Sequence, residues 1–155
     1  MTRPLMIGAA VATALTLSSA AFAQQGQFGS AQEARAMLDK AVAAVKANKD
    51  AALVMFNNGD NGFKDRDLYP FCFNLGDGKF VAAIKRLLGT DTRELKDPTG
   101  KIFGVELYAA AQRPEGQVSE VGYMFPRPGA DQTPVPKVTF VTRAGDLGCG
   151  VGFYK

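Results

Sequence analysis

Residues 68–84, LYPFCFNLGDGKFVAAI, restrict the fold more than any other part of the chain. Two runs of strand type, 68–73 and 79–84, flank the turn formers Asn74, Gly76, Asp77 and Gly78. Glycine tolerates positive φ, and Asn and Asp side chains hydrogen-bond their own backbone, so the segment reads as a β-hairpin with a short loop. Cys72, one of two cysteines, stands in the middle of its first strand. The remaining elements are arranged around this hairpin.

Upstream, Ser30-x-x-Glu33 has the form of a capping box. Ala34, Met37, Leu38, Ala41, Val42 and Val45 then recur at helical spacing, with Asp39, Lys40 and Lys46 on the other side, which predicts a long amphipathic helix. The pattern continues through 49–56 past a bend near Asn48. Asn57-Asn58-Gly59 ends it, because Asn and Gly accept the left-handed C-cap conformation. Downstream of the hairpin, 92–96 predicts a short helical turn and Asp97-Pro98-Thr99-Gly100 a loop turn. A helix follows over 104–112, with Val105, Leu107, Tyr108 and Ala111 covering one side. Residues 117–125 read as a strand with Val121, Tyr123 and Phe125 on one face. Four prolines make 126–136 a loop, since a central strand cannot lose those donors. Strands at 137–143 and 148–154 are joined by the turn Ala144-Gly145-Asp146. The order of helix, two strands, short helices and three strands predicts an α+β fold with an antiparallel sheet.

The N-terminus has the form of a secretory signal: Arg3, an apolar run over 5–17, then Ala21-Phe22-Ala23, with cleavage expected before Gln24. The apolar run is short for a membrane span and rich in Ala and Thr. Polar, glycine-containing residues 24–29 read as a disordered tail, and 30–155 as one domain. Removing 1–23 from 155 residues leaves 132, enough for a single core. The net charge of +3 falls to about +2 as Arg3 is lost. Cations alternate with acids and form no stripe, which argues against nucleic acid as a partner. No later segment is apolar enough to span a bilayer, so the mature chain is expected in the periplasm or secreted. In that oxidising setting Cys72 and Cys149 are a disulfide candidate, with two buried free thiols as the alternative.

Histidine is absent, which excludes Ser–His and Cys–His catalytic pairs and any imidazole-held metal. Asp60, Asp65, Asp67, Asp91 and Asp97 lie in polar, turn-like settings and read as solvated loop carboxylates. The acid-rich run 57–67 does not follow the spacing of an EF-hand loop and reads as a plain polar loop. Neither an enzyme, a cofactor nor a metal site is expected.

Several motifs in fixed order carry a family likeness. They are Asn74-x-x-Asp77-Gly78, Leu88-Gly89-Thr90-Asp91, Lys96-Asp97-x-x-Gly100-Lys101, Gly116-x-Val118, Tyr123-x-Phe125, Pro136-Lys137-Val138-Thr139-Phe140-Val141, and Gly148-Cys149-Gly150-Val151-Gly152-Phe153-Tyr154. Together they resemble the single Cache domain of the second type, an extracytoplasmic relative of PAS sensor domains, over roughly 30–155. The resemblance implies a PAS-like five-stranded antiparallel sheet with a long N-terminal helix behind it. It further implies a pocket on the opposite face, roofed by loops and short helices, for small organic acids or similar metabolites. Two departures stand out. The His-Pro pair that many relatives carry after the second strand is replaced by Ala82-Ala83-Ile84-Lys85, and no output domain follows Lys155. The chain is therefore expected to bind a metabolite and leave signalling to a separate membrane receptor or kinase; the rival expectation is a protein–protein module without a ligand.

In a PAS-like sheet the first strand lies between the second and the last, so the likeness places the hairpin at the sheet's middle and Cys72 opposite Cys149. Directly opposed residues on adjacent antiparallel strands come within disulfide range. Phe71 and Phe73 would then share the other face with Gly148, Gly150 and Gly152, large rings against positions without side chains. For the pocket, Tyr123 and Phe125 are candidate walls, Lys137 and Thr139 share a face of the next strand, and Tyr108 is a candidate for the roof. Lys137 or Arg93 would be the counter-charge of a carboxylate. Tyr123 and Phe125 as ordinary core, and Lys137 as a strand-end charge, remain the alternatives.

Overall fold

A computed structural model describes residues 26–155. The predicted signal at 1–23, with Gln24 and Gln25, lies outside the described residues. Ser30 caps helix α1 (Ala31–Ala47) as the sequence predicts: its hydroxyl accepts from Glu33 N at 3.2 Å, and Glu33 returns to Ser30 N at 2.7 Å. The bend falls at Asn48, whose extended backbone ends α1 and whose side chain caps α2 (Lys49–Asn58). Gly59, at φ 76°, closes α2 in the left-handed conformation. Ala34, Met37, Leu38, Ala41 and Val45 are buried, whereas Val42 is only partly covered.

The hairpin forms from β1 (Pro70–Asn74) and β2 (Phe80–Ala82). After α3 (Phe103–Ala111) come β3 (Ser119–Pro126), β4 (Pro134–Ala144) and β5 (Leu147–Tyr154). All neighbouring strands are antiparallel, in the order β2-β1-β5-β4-β3. β1 does lie between β2 and the last strand, but the hairpin is not the middle of the sheet. β5 is central, and the three-residue β2 is an edge. Asn57 of α2 blunts that edge, its amide donating to Val81 O and accepting from Ala83 N, so the exposed ladder groups are paired.

The proline-rich loop is shorter than predicted, because Pro126 ends β3 and Pro134 begins β4. The physical reason is register. Pro136 O accepts from Lys155 N at 3.1 Å, so Pro136 and, two residues before it, Pro134 turn their nitrogens toward the β5 side. There the β5 strand has ended at Tyr154, opposite Lys137, and the Lys155 carbonyl takes Arg127 instead. The missing donors cost the sheet almost nothing.

Cys72 and Cys149 are paired in register and joined by a disulfide. It lies in the core that α1 and α2 form with one face of the sheet. On the other face the phenylalanine–glycine alternation holds. A Cβ at Gly148 would come within 2.6 Å of the Phe73 ring, and one at Gly150 within 2.6 Å of Phe71. Against this face pack α3 and the segment from 83 to 102. Val105 does not join the covering side of α3 as predicted; it is 52 % exposed, and Phe103, Gly104 and Ala110 take that role. Gly104 permits the closest approach, since a Cβ there would sit 1.8 Å from Thr92 O.

Candidate ligand site

Between the sheet and the α3 side lies a partly enclosed cavity of about 130 Å³. Aromatic and aliphatic side chains form most of its wall. Phe71 and Phe80 come from the hairpin, Phe103 from α3, and Tyr123 and Phe125 from β3. Phe103 lies parallel to Tyr123 with centroids 3.9 Å apart, which ties roof to floor. The roof is also clamped to the outer edge of β3 by Asp97. One of its oxygens accepts from Thr99 N, Thr99 Oγ1 and Lys101 N, and the other from Met124 N at 2.9 Å. These hydrogen bonds, led by the Thr99 hydroxyl, hold the Asp97 carboxyl down at about 2. The reading of Asp97 as a solvated loop carboxylate is thus corrected: it is 5 % exposed.

Three of the six candidate residues line the cavity: Tyr123, Phe125 and Lys137. Thr139 stands behind them, fully buried, with its hydroxyl 2.9 Å from that of Tyr123. Arg93 and Tyr108 lie elsewhere. Arg93 engages both oxygens of Asp91 and donates to Asp77 O at 2.9 Å, so its charge is already matched while it staples the hairpin loop. Its guanidinium covers the Tyr108 ring at 4.9 Å, and the Tyr108 hydroxyl donates to Leu75 O. Both residues belong to the hairpin's support.

Lys137 is the chemically distinctive group. Only 8 % exposed, it points its ammonium at two rings, 4.5 Å from the Tyr154 centroid and 5.5 Å from Phe125. Nζ donates to Tyr154 Oη at 3.4 Å. Among the described residues no carboxylate forms an ion pair with it. Burial pushes its ammonium down to about 8, opposed by the negative charge of Asp67. Gly152 makes room for it: a Cβ there would lie 2.9 Å from Lys137 Cε.

Sequence reasoning missed Tyr69, Phe103, Arg86 and Lys96, which also line the cavity. Tyr69 shares the parity of Phe71 and Phe73 in β1, a signal that was present in the sequence. Phe103 precedes the predicted start of its helix by one residue. Arg86 and Lys96 sit in irregular segments, where periodicity says nothing.

No family model matches the chain, and no curated protein matches it. Solved structures do. A periplasmic sensor domain of a chemotaxis protein superposes with TM-score 0.57 at 24 % identity, over 79 % of this chain and 88 % of that one. A methyl-accepting chemotaxis protein from Vibrio parahaemolyticus gives TM-score 0.60 at 22 % identity, over 79 % and 86 %. A Cache chemosensory domain described for its carboxylic acid recognition gives 0.54 at 24 %, with the same coverage. The chain has the Cache fold. The cavity lies on the face of that sheet away from the long N-terminal helix, under the loops and short helix of the α3 side.

Proposed function

We propose that this protein is an exported Cache-fold sensor that binds a small organic acid in the cavity, with Lys137 as counter-charge, and passes occupancy to a separate membrane receptor or kinase. One observation carries the reading: a buried lysine, in no ion pair among the described residues, lines a small cavity walled by aromatic and aliphatic side chains. An ammonium has three donors, and Lys137 gives one to Tyr154. A carboxylate would take the others and offset the cost of burying the charge. The volume suits a ligand of about six non-hydrogen atoms, since a 150 Å³ apolar cavity accommodates benzene. The carboxylic acid recognition ascribed to one structural neighbour supports the same class. Open space at the site counts against the rival protein–protein module, which needs none. No described helix is long and apolar enough to cross a membrane.

The test is a thermal-shift and calorimetry panel of acetate, propionate and pyruvate against propionamide and propylamine. Acids are expected to raise the melting temperature, and the amide and amine to leave it unchanged. No response to any acid, or an equal response to propionamide, overturns the reading.

A further inference from the structure

Residues 26–29, which belong to the stretch read from the sequence as a disordered tail, are held by several long-range contacts. Gly29 N donates to the buried Asp67 Oδ1 at 2.6 Å, and a Cβ at Gly29 would lie 2.2 Å from Leu68 Cγ. Arg66 donates from one nitrogen to Gly26 O and Phe28 O, and from another to Glu33 of α1 at 2.6 Å. Phe28 packs edge-on against Tyr154 with centroids 6.2 Å apart. The Arg127 guanidinium lies over both rings, at 5.1 and 5.5 Å.

Tyr154 is the link to the cavity. Its hydroxyl donates to Pro126 O at 2.7 Å and accepts from Lys137, while its ring lies under the Lys137 ammonium. We propose that residues 26–29 position the ligand site: Phe28, clamped by Arg127, holds Tyr154, and Tyr154 holds Lys137 aimed into the cavity. Asp67 makes a second connection to the same segment. One of its oxygens secures Gly29, the other is buried without a hydrogen-bond partner, and its charge favours the protonated Lys137. Coupling of this kind is reciprocal. If the segment positions the ammonium, an acid bound to the ammonium tightens the segment. Occupancy is thereby reported at the N-terminal end of the domain.

The positioning role is tested without ligand, by following the Lys137 side chain through a pH titration by NMR in the wild type, Phe28→Ala and Phe28→Tyr. The groups facing Lys137 are Asp67 and Tyr154, with Tyr69, Tyr123, Arg86 and Lys96 around the cavity. In Phe28→Ala the Lys137 midpoint is expected to move from about 8 toward the ordinary lysine value as water enters, and Phe28→Tyr to restore it. A midpoint unchanged in Phe28→Ala overturns the proposal. A second arm measures propionate affinity and rests on the carboxylate reading. Phe28→Ala should weaken it about five- to tenfold, the equivalent of one aromatic contact. Failure of the wild type to bind any acid sinks that reading alone, and the ligand-free titration still decides the positioning role.

Discussion

Lys137 carries two opposite pH dependences. Burial lowers its proton affinity in the folded state, to about 8 against 10.5 for a free lysine. The unfolded chain therefore binds more protons between these values, and the stability of the unliganded protein should rise with pH through that window. The full effect is on the order of 3 kcal/mol. Acid binding needs the ammonium, so propionate affinity should fall as pH passes about 8. Calorimetric titrations and urea melts at pH 7 and pH 9.5 should move in opposite directions. Lys137→Met separates the same two roles. Methionine fits the space without a charge to desolvate, so the variant should be more stable by about 1–3 kcal/mol yet show no thermal shift with propionate.

Among the elements, two joints hold the site together, and they are of different kinds. α3 touches the preceding 3-10 turn through Gly104, where no Cβ fits. Gly104→Ala must push α3 and Phe103 off the cavity. The expected loss is about 2–4 kcal/mol in denaturation together with weakened acid binding, despite the better helix propensity of alanine. The disulfide joins β1 to the central strand on the α1 face, across a sequence separation of 77 residues. Its removal in a Cys72→Ala, Cys149→Ala variant should cost about 4 kcal/mol by the chain-entropy argument. The cavity is on the opposite face, so that variant, while folded, should keep its propionate affinity. A joint that loosens the site and a joint that only stabilises the fold are thus told apart by one pair of measurements.

At the scale of the whole molecule, export remains a matter for the N-terminus of the mature protein. Mass spectrometry of protein recovered from the periplasm should find it beginning at Gln24; a chain retaining 1–23 would argue for an anchored sensor instead.

Local chemistry alone determined much of this protein. The Ser30 cap, the Asn48 break, the Gly59 stop and the hairpin turn were legible because each rests on a few neighbouring residues. The facing of Phe71 and Phe73 by glycines followed from strand parity once the motif order suggested which strands were neighbours. Tertiary structure decided the rest. Arg93 and Lys137 are both candidate counter-charges in the sequence, but Asp91 forms an ion pair with one, whereas among the described residues no carboxylate forms an ion pair with the other. Residues 26–29 have a tail's composition, and it is Asp67, Arg66 and Tyr154, 38 to 126 positions away, that hold them. Pro134 and Pro136 were tolerated in a strand only because β5 ends beside them. Which charge is left unmatched, and which donor is not missed, depends on what long-range packing brings alongside, and no local window of sequence contains it.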